Sequence, residues 1–223
     1  DSAVLAAKFR RPAAVFPLPL LCAAALLVYG CALPGFLRAG VFIGVGALGA
    51  LAVWGALRLG RESVRQLTES SGLMLFLGGA VLLWGVLFCL QPMFFLWDEF
   101  TAWGLAPKMV VQNGCLYPAQ PGNLKASFTY PATSMVTVLF LPCARWSEWG
   151  CMAALDTLAM ACLAAAAALP NKRRMAGIAV FAAGFVLPYF FADTHAGSYA
   201  GQYANAMADL PLFMLFGGSL CLY

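Results

Sequence analysis

The chain has 223 residues, of which 63% are hydrophobic and only 10% are charged. Soluble domains carry about 25% charged residues, so this composition excludes a soluble globular protein and indicates an integral membrane protein. The net charge of +4 does not indicate a nucleic-acid partner, because the basic residues lie mostly in short clusters between apolar runs. Clusters of this kind report on membrane topology instead.

The sequence begins with Asp1 and stops at Tyr223, inside an apolar run of about fifteen residues. A membrane-spanning helix needs about twenty residues. We therefore expect the chain to be an amino-terminal or internal portion of a longer protein.

The eight cysteines show no CxxC or Cys/His spacing, which argues against a zinc site. Most of them lie in apolar runs, where Cys behaves as a small hydrophobic residue. Cys115 and Cys143 could form a disulfide if their loop lies outside the cytoplasm.

Residues 1–70 predict two membrane spans followed by a basic cytoplasmic connector. The first apolar run covers residues 13–33 and the second covers residues 36–57, with a tight turn at Pro34-Gly35 between them. Basic clusters precede the first run and follow the second, and the positive-inside rule places both in the cytoplasm. Arg38 is then left alone near the outer turn. The clusters are Lys8, Arg10 and Arg11, and Arg58, Arg61 and Arg65.

A third apolar run, residues 72–96, leads away from the connector, so that Asp98 and Glu99 emerge on the non-cytoplasmic side. Residues 97–130 then form a loop that is too long for a simple connection. Its first part, residues 99–112, has helical composition with a kink or restart at Pro107, and we expect it to lie in the membrane interface. Ionised groups beside a bilayer are costly unless they are used or well paired. The acidic pair therefore marks either a functional site or simply the end of a helix.

Residues 131–143 form an apolar run that we expect to stay at the outer surface. About thirteen helical residues cover roughly 20 Å, whereas the hydrocarbon core is about 30 Å thick. If this run does not cross, a span over residues 150–169 carries the basic cluster at residues 171–174 to the cytoplasm, as the charge rule requires. Residues 175–191 then exit, residues 192–208 form a second outer loop, and the last span begins at Asp209. The predicted fold is an all-α transmembrane bundle of about six spans, with interfacial helices in the first outer loop.

The first outer loop contains an ordered series of motifs: Trp97-Asp98-Glu99, Lys108, Asn113-Gly114, Tyr117-Pro118, Tyr130-Pro131 and Ser147-Glu148-Trp149. This series resembles the first outer loop of the GT-C membrane glycosyltransferases, most closely the branch of protein O-mannosyltransferases and aminoarabinose transferases. Asp209-Leu210-Pro211 resembles the acidic residue that opens a later span in these enzymes. The resemblance covers residues 71–223, which would be a GT-C-like module incomplete at its carboxyl end. It departs from the family at Tyr130-Pro131, which has one proline and no adjacent Lys or His.

The resemblance implies an enzyme that moves a sugar from a polyprenyl-phosphate donor to a glycan, lipid or protein acceptor on the non-cytoplasmic face. A carboxylate can take the proton of the acceptor hydroxyl as it attacks the anomeric carbon, so Asp98 is the predicted general base. Glu99 would orient Asp98 or contact the acceptor.

The remaining predicted site residues would bind the substrate. Lys108 and Lys125 are candidate ligands of the lipid phosphate, although each could instead extend its side chain to the membrane surface. Tyr130, His195 and Asp209 are placed in the same site, and His195 is alternatively a solvated loop histidine. With the acidic pair, His195 and Asp209 could complete a divalent-metal site, since some members of the class use a metal and others do not.

Asp156 lies inside an apolar run and does not belong to this series of motifs. It is a candidate intramembrane acid that pairs with Arg145 or lies near the interface. A transporter or flippase subunit, in which Asp156 and the outer carboxylates serve ion coupling, is the competing hypothesis. A non-catalytic membrane scaffold is the third.

Overall fold

The computed structural model describes residues 13–59, 71–116, 131–140, 146–168 and 174–190, together with residues 203, 206, 216 and 217. The described residues form seven α-helices and no β-strand, which confirms the predicted all-α class. A 3-10 turn, Ala13–Val15, precedes the first helix, and a π-helical turn, Glu99–Trp103, precedes the fourth. The helices are α1 Pro17–Ala32, α2 Leu37–Leu59, α3 Ser71–Leu90, α4 Leu105–Asn113, α5 Pro131–Phe140, α6 Glu148–Ala166 and α7 Arg174–Phe190.

Three segments in the described part of the chain are long and apolar enough to cross a membrane, namely Ala13–Ala32, Gly72–Leu90 and Glu148–Ala166. Two shorter apolar helices, Leu37–Leu51 and Met175–Tyr189, accompany them. These lengths and compositions are those of an integral membrane protein.

Prolines and glycines set several of the helix ends. Pro17 occupies the first turn of α1, where a missing N–H costs nothing, and Gly35 makes the turn to α2 with a φ of 92°. Helix α3 ends at Leu90, before the predicted apolar run does, because Gln91 adopts a φ of 44° ahead of Pro92. A residue that precedes proline is disfavoured in the helical region. The remainder of that run is irregular chain that leads to the acidic pair.

Helix α6 is the centre of the bundle and is buried along its length from Gly150 to Ala165. It packs against α1, α3, α5 and α7. Its many Ala, Gly and Cys residues allow this, because small side chains let neighbouring helices approach closely. The neighbouring helices also have glycines at their contacts with α6. At Gly79 of α3, for example, a side-chain Cβ would lie only 3.0 Å from the sulfur of Met160, so the absence of a side chain allows the close approach.

The contacts of α6 define two ends of the bundle. Gly72, at the start of α3, lies against Ala14 and against Ala164 near the end of α6. Trp84, late in α3, donates its indole N–H to the hydroxyl of Thr157 at 2.9 Å. Helices α3 and α6 are therefore antiparallel, and α1 begins where α3 begins. We call the end at which α1 and α3 finish and α6 starts the loop end, and the opposite end the connector end.

Helix α5 is ten residues long, which corresponds to about 15 Å, and it lies in the half of the bundle nearest the loop end. The hydroxyl of Thr137 is 3.6 Å from the sulfur of Cys151, in the first turn of α6. The ring of Phe140 lies 5.9 Å from that of Trp84. A Cβ built on Gly44, two turns into α2, would lie 3.5 Å from Leu139.

Candidate functional site at the loop end

Two glutamates hold the irregular segment that follows α3. The backbone N–H groups of Phe95 and Leu96 both donate to Oε2 of Glu99, each at 2.8 Å. The preceding N–H, that of Phe94, donates to Oε2 of Glu148 at 2.6 Å. Three consecutive backbone donors outside any helix are thus satisfied by carboxylates, which removes the cost of leaving them unpaired. The path of the chain into the acidic pair is fixed by these bonds.

Glu99 also connects the segment to a distant part of the chain. Its Oε1 accepts the backbone N–H of Ala206 at 2.6 Å. Both residues are only 1% exposed, and a buried carboxylate is tolerated only when hydrogen bonds replace its hydration. Both oxygens of Glu99 are therefore engaged by backbone donors.

Asp98 has the opposite environment to Glu99. Its side chain is exposed, and it makes no capping hydrogen bond to the turn that follows. Consecutive helical residues point about 100° apart, which allows Glu99 to face the bundle while Asp98 faces outward. The structure therefore leaves the Asp98 carboxylate available at the surface, next to an anchored neighbour.

An aromatic cluster packs against the π-helical turn that contains Glu99. The N–H of Gly104 bonds the carbonyl of Glu99 at 2.9 Å, which closes the π-helical turn, a rare conformation often found at functional sites. The ring of Phe94 covers Gly104 so closely that any Cβ there would overlap it. The same ring contacts Phe100 and Trp146, with centroids 6.2 and 6.4 Å away.

A cationic side chain lies at the same end of the bundle. Helix α4 ends at Gly114 in the left-handed conformation, with a φ of 69°. A Cβ built on Gly114 would lie 3.0 Å from Nε of Arg38. The guanidinium is therefore beside the carboxyl end of α4, where the helix dipole favours positive charge. Arg38, which the sequence left alone near the outer turn, is thus part of the loop end.

The other predicted site residues are placed only in part. Lys108 is half-buried on α4, and Pro107 lies in the first turn of that helix, which restarts after the π-helical turn. Cys115 is a free thiol in the described structure, and its considered disulfide partner lies outside the described residues. No group of three or more potential metal ligands occurs among the described residues. Lys125, Tyr130, His195, Asp209, Arg145 and Cys143 lie outside the described residues.

Three residues that the sequence did not assign to the site are important to its construction: Glu148, Tyr203 and Ala206. Glu148 opens α6, and its place in the Ser147-Glu148-Trp149 motif was the available signal in the sequence. Tyr203 was placed in an outer loop, but it is only 3% exposed, and its hydroxyl donates to the carbonyl of Phe185 at 2.7 Å. Tyr203 and Ala206 are buried, but they are two separated residues in a stretch with no regular alternation of polar and apolar positions. Their burial could therefore not be predicted from a periodic pattern.

The loop end thus combines one exposed carboxylate, two carboxylates engaged by the backbone, and the cationic side chains of Arg38 and Lys108. An exposed carboxylate can accept a proton, and cations can hold an anionic group. Comparisons with protein-family models, with curated proteins and with solved structures gave no match.

Proposed function

We propose that the chain is part of a membrane glycosyltransferase of the GT-C class, which moves a sugar from a polyprenyl-phosphate donor to an acceptor at the loop end. The main observation in favour of this proposal is that the two residues of the acidic pair, Asp98 and Glu99, have different environments. Glu99 is buried and bound by three backbone N–H groups, whereas the adjacent Asp98 is exposed. A fixed backbone that presents one free carboxylate suits a general base.

In the proposed reaction, Asp98 removes the proton of the acceptor hydroxyl. The hydroxyl oxygen forms a bond to the anomeric carbon of the sugar, the bond from that carbon to the phosphate oxygen breaks, and the polyprenyl phosphate leaves. A single displacement of this kind inverts the anomeric configuration. Glu99 acts as a positioning residue, because both of its oxygens are already engaged by backbone donors.

The anionic donor requires cations near the membrane surface. Lys108 is half-buried on α4, and Arg38 lies at the carboxyl end of the same helix. We assign both to the donor phosphate, with Lys125 as a further ligand. Arg38 is the better suited to a phosphate group, because a planar guanidinium binds two phosphate oxygens at once.

The arrangement of helix ends supports a non-cytoplasmic loop end. Each basic cluster of the sequence adjoins a helix end at the connector end: before α1, between α2 and α3, and between α6 and α7. The positive-inside rule then assigns the connector end to the cytoplasm. Helices α1, α2, α3, α6 and α7 would be five spans, and a sixth would begin at Asp209.

The test is transfer of a radiolabelled sugar from a panel of polyprenyl-phosphate donors by the full chain in detergent or vesicles. Asp98→Asn keeps the size of the side chain but removes the proton acceptor, so we expect transfer to fall about 10²–10⁴-fold. Gln112→Ala changes an exposed residue of α4 on the same loop and should retain activity. Undiminished transfer by a monodisperse Asp98→Asn protein would refute the proposed mechanism.

A further inference from the structure

The second acidic feature of the bundle lies in its interior and has no role in the proposed transfer reaction. Asp156 is in the middle of α6 and is 3% exposed. Eight residues separate it from the start of α6 at Glu148, which corresponds to about 12 Å along the helix axis. It therefore lies well below the loop end, surrounded by other helices.

The hydrogen bonds around Asp156 are incomplete. Its Oδ2 atom is buried and has no hydrogen-bond partner in the described structure. The adjacent Thr157 is not a substitute partner, because its hydroxyl donates to the carbonyl of Ala153 at 2.8 Å while accepting the indole N–H of Trp84. A buried carboxylate with an unpaired oxygen is among the most costly groups in a protein interior.

Among the described helices packed on α6, none supplies a counter-ion at this level. Helices α1, α3 and α5 contain no Asp, Glu, Lys, Arg or His. The only charged residue of α7 is Arg174, at its first position, which lies toward the connector end. Glu148 of α6 itself is bound to Phe94 at the loop end. The remaining titratable side chains of these helices are Cys22, Tyr29 and Cys31 of α1, Cys89 of α3, Cys151 and Cys162 of α6, and Tyr189 of α7.

Tyr203, which is 3% exposed, is a titratable side chain whose pKa responds to the charge of Asp156. Burial, and to a smaller extent the Asp156 charge, raise the pKa of the Tyr203 phenol well above its ordinary value. The phenol therefore keeps its proton, which it donates to the carbonyl of Phe185. One hydroxyl carries one proton, so Tyr203 cannot donate to Phe185 and to Asp156 at the same time.

We propose that Asp156 is a reversible proton-binding site in the interior of the bundle. In the neutral form the carboxyl group needs no counter-ion, which agrees with the uncharged helices around it. When the proton leaves to the aqueous phase, the carboxylate becomes a stronger acceptor than the carbonyl of Phe185, and the Tyr203 hydroxyl turns to it. A metal ion is the less suitable ligand, because the described residues offer no group of three His, Cys, Asp or Glu side chains here.

The test is infrared spectroscopy of the purified full chain across the pH range in which it stays monodisperse. A neutral carboxylic acid has a carbonyl stretch that is separate from the carboxylate bands. We expect this band at neutral pH in the wild type, its replacement by carboxylate bands as the pH rises, and its absence from Asp156→Asn. An ionised Asp156 at neutral pH, or a band that persists at every pH, would overturn the proposal.

A second variant tests the site without changing Asp156. Tyr203→Phe removes the donor that would stabilise the ionised form, so the carboxylic acid band should persist to higher pH than in the wild type. Tyr29→Phe removes a partly buried hydroxyl from α1 and should leave the transition unchanged. Equal effects of the two variants would contradict the assigned role of Tyr203. Failure of Asp156→Asn alone to fold would indicate a required charge and would overturn the proposal as well.

Discussion

Glu99 satisfies three backbone N–H groups with two oxygens, an arrangement that an amide cannot reproduce. In Glu99→Gln, the carbamoyl N–H₂ must face at least one of the donors from Phe95, Leu96 or Ala206. Hydrogen bonds to charged groups contribute about 1.5–3 kcal/mol, and an unpaired buried donor costs a similar amount. We expect Glu99→Gln to lose about 2–3 kcal/mol of stability, measured as a lower midpoint of thermal unfolding in detergent.

Two neighbouring carboxylates provide controls for that measurement. Glu148→Gln should cost little, because the N–H from Phe94 can still be accepted by the amide oxygen. Asp98→Asn should leave the midpoint unchanged, since the Asp98 side chain is exposed. A Glu99→Gln protein as stable as Asp98→Asn would show that the bonds of Glu99 do not hold the loop.

The acidic pair was recognisable from the sequence, but the roles of its members were not. Asp98 and Glu99 follow a long uncharged run, which marks them as a candidate site. Which of the two faces the bundle depends on where α3 ends, and that end is set by Gln91 and Pro92 rather than by hydrophobicity. The three donors that engage Glu99 include Ala206, which is more than a hundred residues away. No local pattern contains that contact.

The π-helical turn between α3 and α4 depends on a glycine that the ring of Phe94 covers. In Gly104→Ala the new methyl group would overlap that ring, and Phe94 would have to leave the cluster that it forms with Phe100 and Trp146. Overpacking of this kind typically costs about 1–3 kcal/mol. We expect a lower unfolding midpoint together with reduced sugar transfer, because the backbone that presents Asp98 moves with Phe94.

Gly85→Ala is the matched control for Gly104→Ala. Gly85 lies within α3, and a Cβ built there meets nothing within 4 Å. Alanine is the better helix former by about 1 kcal/mol, so stability should be unchanged or slightly higher. A Gly104→Ala protein that behaves like Gly85→Ala would show that the Phe94 contact is not required.

The sequence predicted the residue ranges of the helices better than it predicted which helices pack together. The spans predicted over residues 13–33, 36–57, 150–169 and 175–191 correspond to α1, α2, α6 and α7, with shifts of a few residues at their ends. The apolar runs account for this agreement, together with the turn glycine Gly35 between α1 and α2. The central place of α6 was not predictable, because a helix that is apolar on all sides gives no periodic signal for its neighbours.

The outer surface of the bundle is apolar, as expected for a protein surrounded by lipid. Large apolar side chains are exposed along α2 and α3, among them Phe42, Ile43 and Trp54 of α2 and Val81 and Phe88 of α3. Soluble monomers rarely expose contiguous apolar patches of this kind. Several charged groups of the described residues lie elsewhere: Asp156 is buried in the interior, and Glu99, Glu148 and Arg38 lie at the loop end. Lipid is therefore the expected partner of these helix faces.

The orientation of the bundle determines whether Asp98 can meet a donor on the non-cytoplasmic face. Asn113, exposed at the end of α4, and Asn171, in the connection between α6 and α7, are a matched pair for testing it. We expect Asn113→Cys, in a background without other cysteines, to react with an impermeant thiol reagent on intact cells. Asn171→Cys should react only after the membrane is made permeable, because the basic residues beside it favour the cytoplasm.

Each other labelling result would have a definite structural meaning. Labelling of both variants from outside would require an even number of crossings between Asn113 and Asn171, so that α5 as well as α6 would have to cross the membrane. That outcome is disfavoured because α5 has ten residues, about 15 Å of helix against a core of about 30 Å. Labelling of Asn171→Cys alone would place the loop end in the cytoplasm. Asp98 would then face away from the proposed donor, and the glycosyltransferase mechanism would be wrong whatever the chemistry of the site.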